Sequence, residues 1–223
     1  MTTFYLVRHG ETEWNLQRRW QGLADVPLNE QGLAQARKLA NRFSQEHLSI
    51  HALYSSDLKR AHDTALIIGS ALNLQPNILP TLREFDVGTW SGKLHHQISN
   101  DDLFSRMQSG EDVRRGGDGE RFADVYDRAV STLEHLSQKH PKQRVMLVSH
   151  GGTLQAMLLH AARNKVNALP RPLHIGNTSL SILHYAQGHW EIELVNDQSH
   201  LQAGDFIAQP VSAGGQNKFS SEL

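Results

Sequence analysis

Two histidines in this sequence stand in the same local setting, and the repetition is where its chemistry is most visible. Arg8, His9, Gly10, Glu11 and Thr12 place a fixed cation beside an imidazole, followed by a glycine that lets backbone approach a ligand closely. Ser149, His150, Gly151 and Gly152 repeat the His-Gly step far down the chain. Arg60 follows Ser55, Ser56 and Asp57 at what reads as the first turn of a helix. A cation, a nucleophilic ring and open backbone suit a phosphate group. Each feature also has a plainer reading: a turn carrying an exposed Arg-His pair, a solvated Arg60, or a His150 that donates to a backbone carbonyl. The chain has 14 histidines, so context must select among them.

Elements have to hold those residues, and the apolar pattern supplies them. Residues 4–7 read as a buried strand that stops at Arg8 and His9, and residues 144–148 as another that stops at Ser149 and His150. Residues 52–54 and 79–82 read as further strands, and residues 180–185 and 190–195 as two late ones joined through Gln187 and Gly188. Leu33, Ala36, Leu39, Ala40 and Phe43 recur at helical spacing over about 32–47, with Asn29 as a cap. Leu58, Ala61, Ala65, Ile68 and Leu72 do the same in a helix opened by Asp57 and ended by Asn73. Phe122, Val125, Ala129, Leu133 and Leu136 mark a helix closed by Pro141, and Leu154, Met157, Leu158 and Ala161 mark another. Residues 99–119 are polar and irregular.

Strands alternating with helices predict an α/β fold, a three-layer α/β/α sandwich with a mainly parallel central sheet. A single domain is expected over 1–202, with about 99–122 as an irregular substrate cap and 203–223 as a C-terminal tail. In such sheets ligands bind beyond the carboxyl ends of the strands, where both His-Gly steps fall. His9 and His150 are therefore expected to face one another.

Composition narrows the partners. Lys plus Arg (22) balances Asp plus Glu (23), so no global field favours nucleic acid or an anionic membrane, and any anion site must be local. The absence of cysteine removes disulfides, thiolate metal sites and thiol nucleophiles. No signal segment and no apolar run of about 20 residues occur, which predicts a cytoplasmic protein with no membrane partner. His95 and His96 are adjacent, but their side chains diverge on a helix or strand, so no metal is expected there.

Further segments join the first three. Trp14 and Asn15 follow Thr12; Arg19, Gln21, Gly22, Asp25, Pro27 and Leu28 come next; Ser55 to Ala61 runs on to Thr64 and Ala65; Leu82, Arg83 and Glu84 precede Gly88, Trp90 and Gly92. In this order they resemble the histidine phosphatase superfamily, the phosphoglycerate mutase-like proteins, over about residues 4–201. The resemblance implies that His9 attacks phosphorus, that Arg8, Arg60 and His150 bind the phosphoryl oxygens, that Asn15 adds a hydrogen bond, and that Glu84 donates the proton. Arg19, Gln21 and Gly22 are expected with Asn15 at the substrate. Attack needs a neutral imidazole, and two nearby guanidiniums favour that form by repelling the charged one. Fixed Arg donors can stabilise the transferring phosphoryl group without a metal, so no metal and no cofactor are implied. Phe85 and Trp90 are candidates for an apolar wall beside Glu84.

The implied activity is a metal-independent phosphomonoesterase of the histidine acid type, acting on a small phosphorylated metabolite through a phosphohistidine. The alternative is mutase-type phosphotransfer, and a third reading is a phosphate-binding protein without catalysis. In the family's glycolytic mutases the general-acid Glu is followed by Arg and then Tyr-Gly, whereas Glu84 is followed by Phe85, Asp86, Val87 and Gly88. That departure, with a shorter middle insert, resembles the phosphatase branch. Arg106, Arg114, Arg115 and Arg121 are candidate clamps for a second substrate anion. Asn177 reads as a turn residue, outside the catalytic set. No long heptad marks an interface, and a homodimer is left open.

Overall fold

The computed structural model describes residues 1–163 and 173–201. The predicted 203–223 tail and the end of the expected domain lie outside the described residues. Six strands form one sheet: β1 (Thr2–Arg8), β2 (Ala52–Ser55), β3 (Asn77–Ile78), β4 (Arg144–Ser149), β5 (Leu180–Ala186) and β6 (His189–Asp197). Their order is β3-β2-β4-β1-β5-β6. The first four run parallel, while β5 pairs antiparallel to both β1 and β6. The late strands turn back through Gln187 and Gly188, both at positive φ, which matches the twist of a tight hairpin.

Alternation along the central strands builds both faces. Phe4 and Leu6 of β1 enter the core under α5 (Phe122–Lys139) and α6 (Gly151–Ala162). Tyr5 and Val7 point the other way, under α2 (Glu30–Gln45) and α3 (Lys59–Leu72). The result is a three-layer α/β/α sandwich with a mostly parallel sheet. Among the described residues no helix is long and apolar enough to cross a membrane.

Local differences from the sequence reading have physical causes. The strand expected at 79–82 is instead Asn77–Ile78, followed by a 3-10 turn at Pro80–Leu82. Leu79 still donates to the Ser55 carbonyl, but Pro80 has no N–H to continue the ladder. Helix α3 is not opened by Asp57, whose carboxylate pairs with Arg83; the Asp25 carboxylate accepts the Lys59 N–H at 2.7 Å instead. The stretch expected to be irregular contains α4 (Asp102–Gln108), capped by Asp101, because Leu103, Phe104 and Met107 share one helical face and pack against Trp20 and Trp90. Asn29 caps α2, and Asn73 ends α3 in the left-handed conformation.

Candidate active site

Register places the two histidines together. Arg8 of β1 lies beside Ser149 of β4, and the His9 N–H continues the pairing to the Ser149 carbonyl at 2.9 Å. The next residue on each strand is therefore a histidine, and the two rings sit 5.1 Å apart, centroid to centroid. Beyond them the chain turns into helix: α1 (Glu13–Leu16) after one, α6 after the other. Gly10 allows the turn to pack, since a Cβ there would lie 2.5 Å from the Gly32 carbonyl oxygen. Its N–H donates to Thr64 of α3 at 3.0 Å.

His9 is buried, and its Nδ1 lies 2.6 Å from the Gly10 carbonyl oxygen. A carbonyl only accepts, so Nδ1 carries the proton and Nε2 keeps its lone pair. Burial first, then the charges of Arg60 and Arg8, push the His9 pKa well below the usual imidazole range. The guanidiniums do act as expected from sequence, but desolvation leads. His150 is fully buried, and burial with Arg60, His9 and Arg8 lowers its pKa in the same direction. Both rings are neutral at pH 7.

The two arginines are held from behind. Arg60 donates to the Gly22 carbonyl at 2.8 Å and the Ala24 carbonyl at 2.7 Å, and burial pulls its pKa down to about 10. Arg8 donates to the Ile175 carbonyl at 2.5 Å. Arg8 Nε, Arg60 Nε and both ring nitrogens of His150 are buried without a protein partner. Buried polar groups without partners are costly, and the two arginine Nε–H groups with the one N–H of neutral His150 fit an anion with several acceptor oxygens.

Glu84 reaches the same place from a loop stitched to β4 and α6. Ser149 Oγ donates to the Leu82 carbonyl at 2.7 Å, and Thr153 Oγ1 to the Arg83 carbonyl at 2.6 Å. The half-buried Glu84 side chain accepts from the Gly152 N–H at 3.1 Å on one oxygen and from the Phe85 N–H at 3.0 Å on the other. Arg128 of α5 locks the loop by donating to the carbonyls of Thr81, Arg83 and Glu84 while paired with Glu120. Phe85 lines the cavity beside Glu84, as expected for an apolar wall, whereas Trp90 is fully buried in the cluster behind it.

These groups border one cleft of about 320 Å³, whose lining includes Arg8, His9, Arg60, Glu84, Asn15, Arg19, Gln21 and Gly22. His150 lies behind, against His9. Asn15 accepts through Oδ1 from Thr12 and from Asn177, which leaves its Nδ2 donors for the cleft. Gly22 contributes chiefly its carbonyl to Arg60, and Arg19 is partly committed, donating to Gln17 and to the Gly92 carbonyl. Among the described residues no group of three or more His, Asp and Glu is placed to hold a metal ion, and His95 stacks on Trp20. Sequence reasoning missed two supports. Arg128 is one; Asn177, set aside as a turn residue, donates to the His9 carbonyl at 3.0 Å. A deprotonated ring nitrogen, ringed by cations and faced by a carboxyl group, can accept a phosphoryl group and return it.

The family model for the histidine phosphatase superfamily, branch 1, matches residues 4–198. The chain belongs to that superfamily. It is 36% identical over 212 residues to a metal-independent phosphoserine phosphatase of Arabidopsis thaliana, covering 93% of this chain and 86% of that one. It is 35% identical to a probable phosphoglycerate mutase of Cronobacter sakazakii, covering 91% and 96% of the two chains. Among solved structures, a His-to-Ala mutant of Entamoeba histolytica phosphoserine phosphatase in complex with phosphoserine superposes with a TM-score of 0.80 at 28% identity, covering 91% of this chain and all of that one. These histidine phosphatase relatives span nearly their whole length, so the sheet and both histidine-bearing strand ends fall within the shared fold.

Proposed function

We propose that this histidine phosphatase superfamily member is a phosphomonoesterase acting on a small phosphorylated metabolite through a phosphohistidine on His9. The observation that carries the reading is the Nδ1 hydrogen bond to Gly10, which fixes Nε2 as the free nucleophilic nitrogen in a cleft ringed by Arg8, Arg60 and Glu84, with His150 behind. Nε2 attacks phosphorus, the ester P–O bond breaks, and the departing oxygen takes the proton of Glu84. Arg8, Arg60 and His150 donate to the three phosphoryl oxygens as their charge builds, and Asn15 adds a fourth donor. Water then attacks the phosphohistidine and passes a proton to the Glu84 carboxylate, which restores both residues and releases inorganic phosphate. The arginines supply positive charge where other phosphotransfer sites use a cation, so metal independence is part of the proposal.

Hydrolysis rather than mutation of the phosphate position is supported by Phe85, which puts an apolar ring after Glu84 where the family's mutases carry a cation. The names of relatives with phosphoserine phosphatase activity point the same way. The test is phosphate release from a panel of phosphomonoesters in EDTA, with 3-phosphoglycerate assayed in parallel for 2-phosphoglycerate. Release without isomerisation, and acid-labile phosphate that disappears in His9→Ala, are expected. Turnover that requires added divalent metal, or full activity in His9→Ala, would overturn the proposal.

A further inference from the structure

The nucleophile is followed by a turn whose two peptide units are each gripped by a buried side chain outside the cleft. The first unit carries the Gly10 N–H, which donates to Thr64 Oγ1 at 3.0 Å. The second carries the Gly10 carbonyl, which accepts the His9 Nδ1 proton at 2.6 Å, and the Glu11 N–H, which donates to Gln35 Oε1 at 3.0 Å. Gln35 comes from α2 and Thr64 from α3, so the turn is held by both helices that cover this face of the sheet. It packs closely on α2, since a Cβ on Gly32 would lie 2.1 Å from the Glu11 carbonyl oxygen. Gln35 and Thr64 are both buried, and neither is in the lining of the cleft.

A buried amide or hydroxyl costs stability unless it is hydrogen-bonded, and these two sit among apolar positions: Gln35 with Ala36, Leu39 and Phe43 on α2, Thr64 with Ala61, Ala65 and Ile68 on α3. Their joint effect is to aim one carbonyl. The single hydroxyl proton of Thr64 goes to the Arg60 carbonyl at 2.7 Å, which leaves its oxygen to accept the Gly10 N–H. A bond at the N–H end of a peptide also strengthens its carbonyl as an acceptor, so Gln35 reinforces the contact that keeps the proton on His9 Nδ1. We propose that Gln35 and Thr64 are positioning residues that hold His9 in its reacting tautomer, with Nδ1 protonated and Nε2 free. The inference rests on the phosphomonoesterase reading above, in which Nε2 attacks phosphorus. With the two grips removed, the peptides at Gly10 are free to rotate, the carbonyl turns away from Nδ1, and the proton gains access to Nε2, where it blocks attack.

The experiment pairs Thr64→Val and Gln35→Met, which remove the acceptor oxygens and stay close to the native shapes, with Thr64→Ser, which keeps the hydroxyl. Single-turnover phosphorylation by p-nitrophenyl phosphate should slow by about 10- to 100-fold in Thr64→Val and Gln35→Met, the range from one lost hydrogen bond to a misplaced nucleophile. Thr64→Ser should stay within about 3-fold of the native rate. Competitive inhibition by inorganic phosphate should change by less than about 3-fold in all three, because the phosphoryl-binding side chains are untouched. Nitrogen NMR of isotopically labelled histidine, recorded without substrate, should show native His9 as the Nδ1–H tautomer and a rising Nε2–H share in Thr64→Val and Gln35→Met. Native rates in both of these variants, phosphate affinity lost in step with rate, an unmoved tautomer, or loss of the native fold in both would overturn the proposal. The substrate-free spectra keep the two levels apart. If the native protein hydrolyses no ester, the phosphomonoesterase reading fails while the spectra still test the hold on His9. If esters turn over and both variants match the native protein, only the roles of Gln35 and Thr64 are rejected.

Discussion

Gly152→Ala tests whether Glu84 acts as the acid, because the added methyl strikes the carboxyl group and leaves the phosphoryl-binding residues alone. A Cβ at position 152 would lie 2.6 Å from Glu84 Oε1 and closer still to the edge of the Phe85 ring. Carbon contacts relax near about 3.5 Å, so the carboxyl group and the ring must each retreat by about 1 Å. Overpacking of this kind costs about 1–3 kcal/mol, which for a chain of this size lowers Tm by about 2–12 °C without unfolding it. A shift of that size in a proton donor is worth on the order of 100-fold in rate. The loss should depend on the leaving group. Single-turnover kinetics with an alkyl phosphate, whose alkoxide needs a proton, should slow by about 100-fold, while p-nitrophenyl phosphate, whose phenolate leaves unaided, should slow by less than about 10-fold. Glu84→Gln should give the same pattern. Equal losses on both esters, or undiminished turnover of the alkyl ester, would refute the assignment of Glu84.

The neutral, buried histidines make stability depend on pH. Both pKa values are lowered in the folded state, so the unfolded chain binds more protons, and stability is complete above about pH 6.5 and falls as pH drops below it. Each histidine should contribute a slope of about 1.4 kcal/mol per pH unit in that window, read from urea melts between pH 7 and pH 5, and a flat profile there would contradict their burial as neutral rings. The same shift places the acid limb of kcat/KM below the normal imidazole range. Asn177→Ala removes the donors to the His9 carbonyl and to Asn15, and should slow phosphoenzyme formation by about 10-fold while leaving the pH of the acid limb in place.

What the sequence made legible was local. A short apolar run ending at Arg8-His9-Gly10, and another ending at Ser149-His150-Gly151, announce strand ends from neighbouring residues alone, and parallel register then brings the two rings together. Arg60 was visible as a first-turn residue for the same reason. Arg128 was not, because its task is to hold carbonyls 44 to 47 positions away, and nothing about an arginine on the polar side of a helix reveals that distance. Asn177 is 168 positions from the carbonyl it supports, and a turn explains its residue type equally well from sequence. Helix α4 was hidden because the polar stretch 99–119 masks a single short apolar face whose partners, Trp20 and Trp90, come from other segments. The edge strand was misplaced by a few residues because Leu79 and Leu82 carry the apolar signal, while the backbone pairing belongs to the exposed Asn77–Ile78.

The way Arg60 is gripped limits how this scaffold can be retargeted. Its guanidinium is fixed by the carbonyls of Gly22 and Ala24, and Asp25 from the same loop caps the helix that carries it. That loop also borders the cleft, so grafting a new one to widen substrate choice would loosen the phosphate grip along with it. Met107 and Arg115 line the cleft without holding Arg60, although Phe104 of α4 packs on Trp20 of that loop. Diversification should therefore collect at those two cleft-lining positions, and laboratory libraries aimed at 107 and 115 should keep phosphoryl transfer intact while those aimed at 22–25 lose it.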